Sequence, residues 1–176
     1  MYKTKDSRSL LVIMVIAYVL AYLAYQHLNS GVPSHHLLHD SSLPAISSWW
    51  GVIILPVLSW VLGTLINKQY GKFYPKHVWF QLAGAGLYAL VNGALFYAGY
   101  VEFVSMLALP SILVAAVFFR IYKPAYFLGY AVAASMGFGP IIPIIGGGVF
   151  AVIGYIVFNF IRPLPNYLII LLNKNK

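Results

Sequence analysis

The sequence has no cysteine and very little acidic charge. Its 176 residues include only three Asp or Glu residues. Without cysteine the chain cannot form disulfide bonds, thiolate metal sites or Cys-x-x-Cys redox centres. Charged residues make up 8% of the chain, whereas soluble domains average about 25%. So few charges cannot cover a water-exposed surface, and most of this surface is therefore predicted to face lipid.

Basic residues outnumber acidic ones, and the net charge is +8. A basic chain can bind nucleic acid, but no basic run here is longer than a few residues, and none carries an aromatic platform of the kind that stacks bases. We therefore predict no nucleic-acid partner. An excess of Lys and Arg is also typical of the cytoplasmic loops of membrane proteins, and this is the interpretation we prefer.

Long apolar runs follow one another along the chain. A membrane-spanning helix needs roughly 20 apolar residues. We predict an all-α, polytopic helix bundle that forms one integral membrane domain over residues 1–176. Its six transmembrane helices are predicted at about 9–28, 46–66, 78–100, 101–121, 125–142 and 145–161. Residues 163–176 begin with a Pro-Leu-Pro sequence that ends the helix, and they are predicted to lie at the membrane interface.

The last two predicted spans are short, and Gly and Pro residues between Gly137 and Gly148 interrupt them. The same segment could instead enter the membrane and return to the same side as a re-entrant hairpin. Irregular backbone at membrane depth is tolerated where it contacts protein or a water-filled cavity. Both alternatives stay open at this point.

The basic residues predict the orientation. With six spans and the N-terminus inside, every Lys and Arg falls in an inner segment, and both termini are cytoplasmic. We therefore predict a multi-pass protein of the plasma or inner membrane. These residues are Lys3, Lys5, Arg8, Lys68, Lys72, Lys76, Arg120, Lys123, Arg162, Lys174 and Lys176.

Small residues predict how the helices pack. Ala17 and Ala21 give the first helix a small-xxx-small face that could contact a membrane protein partner. The third predicted helix is rich in Gly and Ala and is expected at the centre of the bundle. Tyr18 lies deep in the first helix, where its hydroxyl needs a partner on another helix.

The most polar segment is the first outer loop, which contains His35, His36, His39 and Asp40. Imidazole and carboxylate groups bind divalent transition metals, and on a helix His35 and His39 would share a face. Two interpretations stay open: these four residues form a metal or proton-linked site, or they form a structural polar loop at the membrane surface. Glu102, Asn92 and His27 are candidates for contacting a substrate or orienting a metal ligand.

Three functions remain from the sequence alone. The first is a permease or a solute- or metal-binding membrane subunit with an outward-facing site. The size, six spans and N-in/C-in layout resemble, in organisation, the substrate-binding components of energy-coupling-factor transporters. The second is a metal-dependent membrane enzyme with its His/Asp site on the outer face and Glu102 as general base. The third is an accessory subunit of a membrane complex.

Overall fold

The computed structural model describes residues 6–29, 31, 34–36 and 45–164, and this part of the chain is helical apart from one small sheet. Strands β1 (Ser34–His36) and β2 (Ala45–Ser47) pair antiparallel. A 3₁₀ turn, Ser48–Trp50, leads from β2 into the second helix. The helices are α1 (Ser7–Asn29), α2 (Gly51–Tyr70), α3 (Lys76–Tyr97), α4 (Val101–Phe118), α5 (Pro124–Phe138) and α6 (Ile142–Ile156). A π-helical segment, Val157–Ile161, continues α6.

Five of these helical segments are long and apolar enough to cross a membrane: Ser7–Asn29, Ser48–Tyr70, Lys76–Tyr97, Val101–Phe118 and Ile142–Ile161. The predicted helix at 125–142 is shorter than expected. It has 15 residues, or roughly 22 Å at 1.5 Å per residue, less than the roughly 30 Å hydrocarbon core of a bilayer. It ends early because Gly139 leaves helical geometry with a φ of 71°. Residues 165–176, most of the predicted interfacial tail, lie outside the described residues.

The short helix α5 forms the centre of the bundle. It packs against α2, α3 and α6, and it accepts a hydrogen bond from α1, since the Tyr18 hydroxyl donates to the Val132 carbonyl at 3.1 Å. No residue of α5 is exposed. Ala125, Leu128, Ala131 and Ala134 are buried at every third position. Three of the four are alanines, so neighbouring helices can come close.

The prediction that the third helix is central is therefore wrong. Only Val78 and Ala89 are buried on α3. The Gly and Ala residues do form a close contact, but only on the face toward α5, where Gly86 lies against the Gly129 carbonyl. At Gly84 and Gly93 an added Cβ would meet nothing within 4 Å. Those glycines leave space on α3 instead of bringing another helix close.

One end of the bundle collects the described basic residues. The Ser7 amide donates to the Lys72 carbonyl at 2.9 Å, which joins the start of α1 to the α2–α3 loop. The Lys123 ammonium donates to the Tyr70 hydroxyl at 2.6 Å, which brings in the α4–α5 loop. We call this the basic end; it carries Arg8, Lys68, Lys72, Lys76, Arg120, Lys123 and Arg162. The other four basic residues lie outside the described part of the chain.

The opposite end contains the turn between α5 and α6. The Tyr22 hydroxyl of α1 donates to the Met136 carbonyl, and the Tyr97 hydroxyl at the end of α3 donates to the Gly137 carbonyl at 2.8 Å. The last turn of α5 therefore lies level with the last turn of α3. Helices α5 and α6 thus extend from the basic end to the opposite end and back.

At the basic end, the start of α1 is tied to α2 by polar contacts. Arg8 lies with its guanidinium carbon 4.1 Å from the Trp60 ring centroid and 3.8 Å from the Asp6 carboxylate. Nearby, the buried Tyr74 hydroxyl donates to the Gly63 carbonyl at 2.8 Å. Burial, and secondarily the Asp6 charge, raises the pKa of Tyr74 to about 12.

Candidate ligand cavity

A cavity of about 510 Å³ lies between α3, α4, α5 and α6. Each helix contributes residues at helical spacing, so four helix faces converge on one space. The α3 face is His77, Gln81, Gly84, Ala85 and Tyr88, and the α5 face is Tyr126, Phe127 and Tyr130. Phe119 after α4 and Phe150 of α6 complete the aromatic walls. Such a volume and lining are typical of sites for small organic ligands.

Two glycines shape this cavity in different ways. At Gly147 of α6 an added Cβ would lie 2.8 Å from the Phe127 ring, so the absence of a side chain lets α5 aromatic rings pack directly on α6. The Tyr130 and Phe150 rings meet beside it edge to face, with centroids 5.6 Å apart. At Gly84 of α3 an added Cβ would point into open space. Gly147 thus tightens one wall, while Gly84 preserves the empty volume.

The polar groups of the cavity include both donors and an acceptor. The Tyr126 and Tyr130 hydroxyls have no hydrogen-bond partner among the described residues. The Gln81 Oε1 atom is buried and, within the same described ranges, also has no partner. A buried polar atom without a partner costs about 1–3 kcal/mol, which a ligand with matching polar groups would recover.

Tyr88 is the polar residue of the cavity that is already paired. Its hydroxyl lies 2.8 Å from the Ser111 hydroxyl of α4. Ser111 donates to the Ala108 carbonyl at 3.0 Å, so Tyr88 is the donor to Ser111. This bond joins α3 to α4 along one side of the cavity.

A short row of polar side chains connects the cavity to the basic end. His77 lines the cavity, and its ring meets the Tyr70 ring edge to face with centroids 5.0 Å apart. Tyr70 in turn accepts the hydrogen bond from Lys123. No Lys, Arg, Asp or Glu lines the cavity itself. Burying an unpaired charge there would be costly, so the cavity suits an uncharged, largely apolar ligand body.

The predicted His/Asp metal site is covered only in part by the described residues. His35 and His36 belong to β1, opposite Ile46 and Ala45, while His39 and Asp40 lie outside the described ranges. Residues 34–36 are extended, so the helical spacing considered for His35 and His39 does not apply there. Within the described residues, no group of three or more metal-ligating side chains occurs. Metal binding by this loop stays a prediction.

The other predicted site residues lie away from the cavity lining. Asn92 donates to the Tyr88 carbonyl of its own helix at 2.8 Å, and its contact with a substrate stays a prediction. Glu102 is exposed in the first turn of α4, and His27 is exposed in the last turn of α1. Both lie at helix ends opposite the basic end.

Sequence reasoning missed the residues that line the cavity. Neither His77 nor Gln81 is among the site residues predicted from the sequence. A signal was present, because His77, Gln81, Gly84 and Tyr88 follow one another at spacings of three and four and so share a helix face. This face could be recognised as a cavity wall only from the structure, in which α5 packs beside it.

The chain matches no protein-family model, no curated protein and no solved structure. The cavity and the placement of charge are therefore the features from which function can be inferred.

Proposed function

We propose that the protein crosses the membrane six times, with both termini in the cytoplasm. The five long apolar helices support five crossings. For the sixth, α5 extends from the basic end to the level of Tyr97, which favours two crossings over a re-entrant hairpin. Its short length is compatible with a crossing because it is enclosed by other helices, so its ends need not meet lipid. The clustering of basic residues at one end supports the orientation.

Within that topology, we propose that the protein is a solute-binding membrane protein, either a permease or the binding subunit of one. The observation that carries this proposal is the cavity between α3 and α6, with two unpaired Tyr hydroxyls and one buried Gln carbonyl in aromatic walls. These groups favour a lipid-soluble molecule with a mostly apolar body. The molecule would carry an acceptor for Tyr126 or Tyr130 and a donor for Gln81.

This proposal places the ligand site on the cytoplasmic side of the membrane, whereas the sequence predicted an outward-facing site. The cavity adjoins the basic end through His77 and Tyr70, which under the positive-inside rule lies in the cytoplasmic leaflet. The outward-facing site predicted from the histidine loop is a separate hypothesis about the other end of the bundle. The two sites can be tested independently, because they share no residue.

The proposal is tested by the compounds that remain bound through purification. The protein is purified in a mild detergent and extracted with organic solvent, and the extract is compared with that of the membrane by mass spectrometry. We expect one compound enriched over bulk lipid, retained several-fold less by Tyr130→Phe, which removes a cavity hydroxyl. Tyr100→Phe is the matched control, since Tyr100 is exposed outside the cavity. Equal retention by both variants, or no enriched compound, would contradict the proposal.

We also propose that a membrane protein partner contacts the Ala17/Ala21 face. Both residues are exposed on α1, and small side chains allow a second helix to come close. Ala17→Leu/Ala21→Leu should release a partner that co-purifies with the wild-type protein. A partner retained equally by the double variant would exclude this face.

A further inference from the structure

Two arginines from different parts of the chain lie on the same aromatic ring at the basic end. The guanidinium carbon of Arg120, in the α4–α5 loop, is 5.2 Å from the Phe158 ring centroid. That of Arg162, just after the π-helical segment, is 4.5 Å from the same centroid. Both arginines are exposed. Their positive charges are therefore held near each other at the surface.

Local backbone structure fixes this arrangement. The Arg162 amide donates to the Val157 carbonyl at 2.9 Å, a bond across five residues that closes the π-helical turn and places Arg162 above Phe158. The α4–α5 loop packs tightly against α6. Ile121 of this loop lies so close to Gly154 of α6 that a Cβ at position 154 would overlap it. The residue next to Ile121 is Arg120, which is thereby brought to Phe158. Short π-helical segments often occur at functional sites.

No carboxylate within the described ranges neutralises this pair. The described acids are Asp6, which contacts Arg8, and Glu102, which lies in the first turn of α4 while Arg120 follows its last turn. The two arginine side chains also form no hydrogen bond to a described residue. By contrast, Lys123 donates to Tyr70 and Arg8 donates to Thr64. Among the residues that the structure describes, nothing therefore occupies the guanidinium donors of Arg120 and Arg162, and a ligand could accept from them.

We propose that Arg120 and Arg162 bind the phosphate group of an anionic membrane lipid. Guanidinium groups match phosphate oxygens with paired hydrogen bonds, and their cation–π contacts with Phe158 keep both groups beside one ring. Anionic phospholipids are enriched at the cytoplasmic surface of membranes, where the proposed topology places the basic end. The site is distinct from the cavity, because neither arginine lines it.

The test uses the full-length protein in detergent and measures binding of phosphatidylglycerol, with phosphatidylcholine and inorganic phosphate as comparison ligands. We expect Arg120→Gln/Arg162→Gln to weaken phosphatidylglycerol binding by tenfold or more. Lys68→Gln/Lys72→Gln is the matched control, because it removes two exposed charges from the same end; it should change binding less than twofold. Arg120→Lys/Arg162→Lys keeps the charge but lacks the paired donors. Its affinity for phosphatidylglycerol should lie between that of the arginine-to-glutamine variant and that of the Lys68→Gln/Lys72→Gln control.

Three results would overturn the proposal. If Lys68→Gln/Lys72→Gln weakened binding as much as Arg120→Gln/Arg162→Gln, the attraction would come from diffuse charge. If phosphatidylcholine bound the wild-type protein as tightly as phosphatidylglycerol, the site would not select anionic lipid. If inorganic phosphate displaced the lipid at equal concentration, free phosphate would be the ligand. None of these results depends on whether the cavity binds a solute.

Discussion

Gly129 of α5 lies directly against the backbone carbonyl of Leu82 in α3. A Cβ built on Gly129 would overlap the Leu82 oxygen, so the two helices touch through their main chains. Such close contact contributes dispersion energy that lipid-facing side chains cannot supply. It also fixes α3 relative to α5, and these two helices carry the polar residues of the cavity.

The first prediction concerns this contact. Gly129→Ala should destabilise the protein by about 1–3 kcal/mol, the usual cost of overpacking, because the clash is with backbone that cannot rotate away. The control is Gly93→Ala on α3, where the added Cβ meets nothing within 4 Å. Thermal unfolding in detergent measures both variants. Equal midpoints for the two would show that α3 and α5 do not touch at Gly129.

The second prediction concerns Tyr74, between α2 and α3. Tyr74→Phe removes the buried bond to the Gly63 carbonyl and should lower the free energy of unfolding by about 1 kcal/mol at neutral pH. The native pKa of about 12 lies above the ordinary value of about 10. The native state thus holds this proton more tightly than the unfolded chain.

The sign of the pH effect follows from that difference. The stability gained from the protonated hydroxyl is fully present below about pH 10 and declines as the pH rises toward 12. The wild-type protein should therefore lose more stability between pH 9 and 11 than Tyr74→Phe does. The difference between the two unfolding curves isolates Tyr74 from the other tyrosines. Parallel pH dependence would contradict the raised pKa.

The third prediction concerns the histidine loop. If His35, His36, His39 and Asp40 hold a divalent transition metal, the purified wild-type protein contains bound metal that His35→Ala/His39→Ala loses. His77→Ala, in the cavity, serves as the control and should keep the metal. Elemental analysis by mass spectrometry measures the content. A wild-type protein without metal after incubation with zinc would eliminate both the metal site and the metal-dependent enzyme hypothesis.

The fourth prediction concerns orientation. Because the chain has no cysteine, single cysteines can be labelled without background. Glu102→Cys should react with a membrane-impermeant maleimide in intact cells, whereas Lys72→Cys should react only after permeabilisation. Both residues are exposed, so neither result is explained by burial. The reverse pattern would invert the proposed topology.

The long apolar helices of the chain could be predicted from its sequence because they follow from local composition. Apolar runs identified each helix to within a few residues, and the need of the Tyr18 hydroxyl for a partner on another helix was confirmed by its bond to Val132. The charge pattern also grouped residues such as Lys72 and Lys123 that the fold places at one end.

The arrangement of the helices could not be predicted in the same way. Hydropathy is nearly uniform around each helix, so it does not show which face is buried. The central position of α5 depends on Gly129 meeting Leu82, a contact between distant parts of the chain. The cavity depends on that arrangement, so the sequence alone did not indicate Gln81 as a cavity residue. Asn92, which was predicted as a site residue, donates to its own helix and lies outside the cavity lining.

The most direct test of the central claim is native mass spectrometry of the protein released from lipid, comparing the wild type with Gly84→Leu and Gly93→Leu. Both glycines lie on α3 and face open space, but only Gly84 lines the cavity. We predict a bound small molecule on the wild type and on Gly93→Leu, and its loss from Gly84→Leu. The same bound mass on all three proteins, or none on any, would contradict a ligand site between α3 and α6.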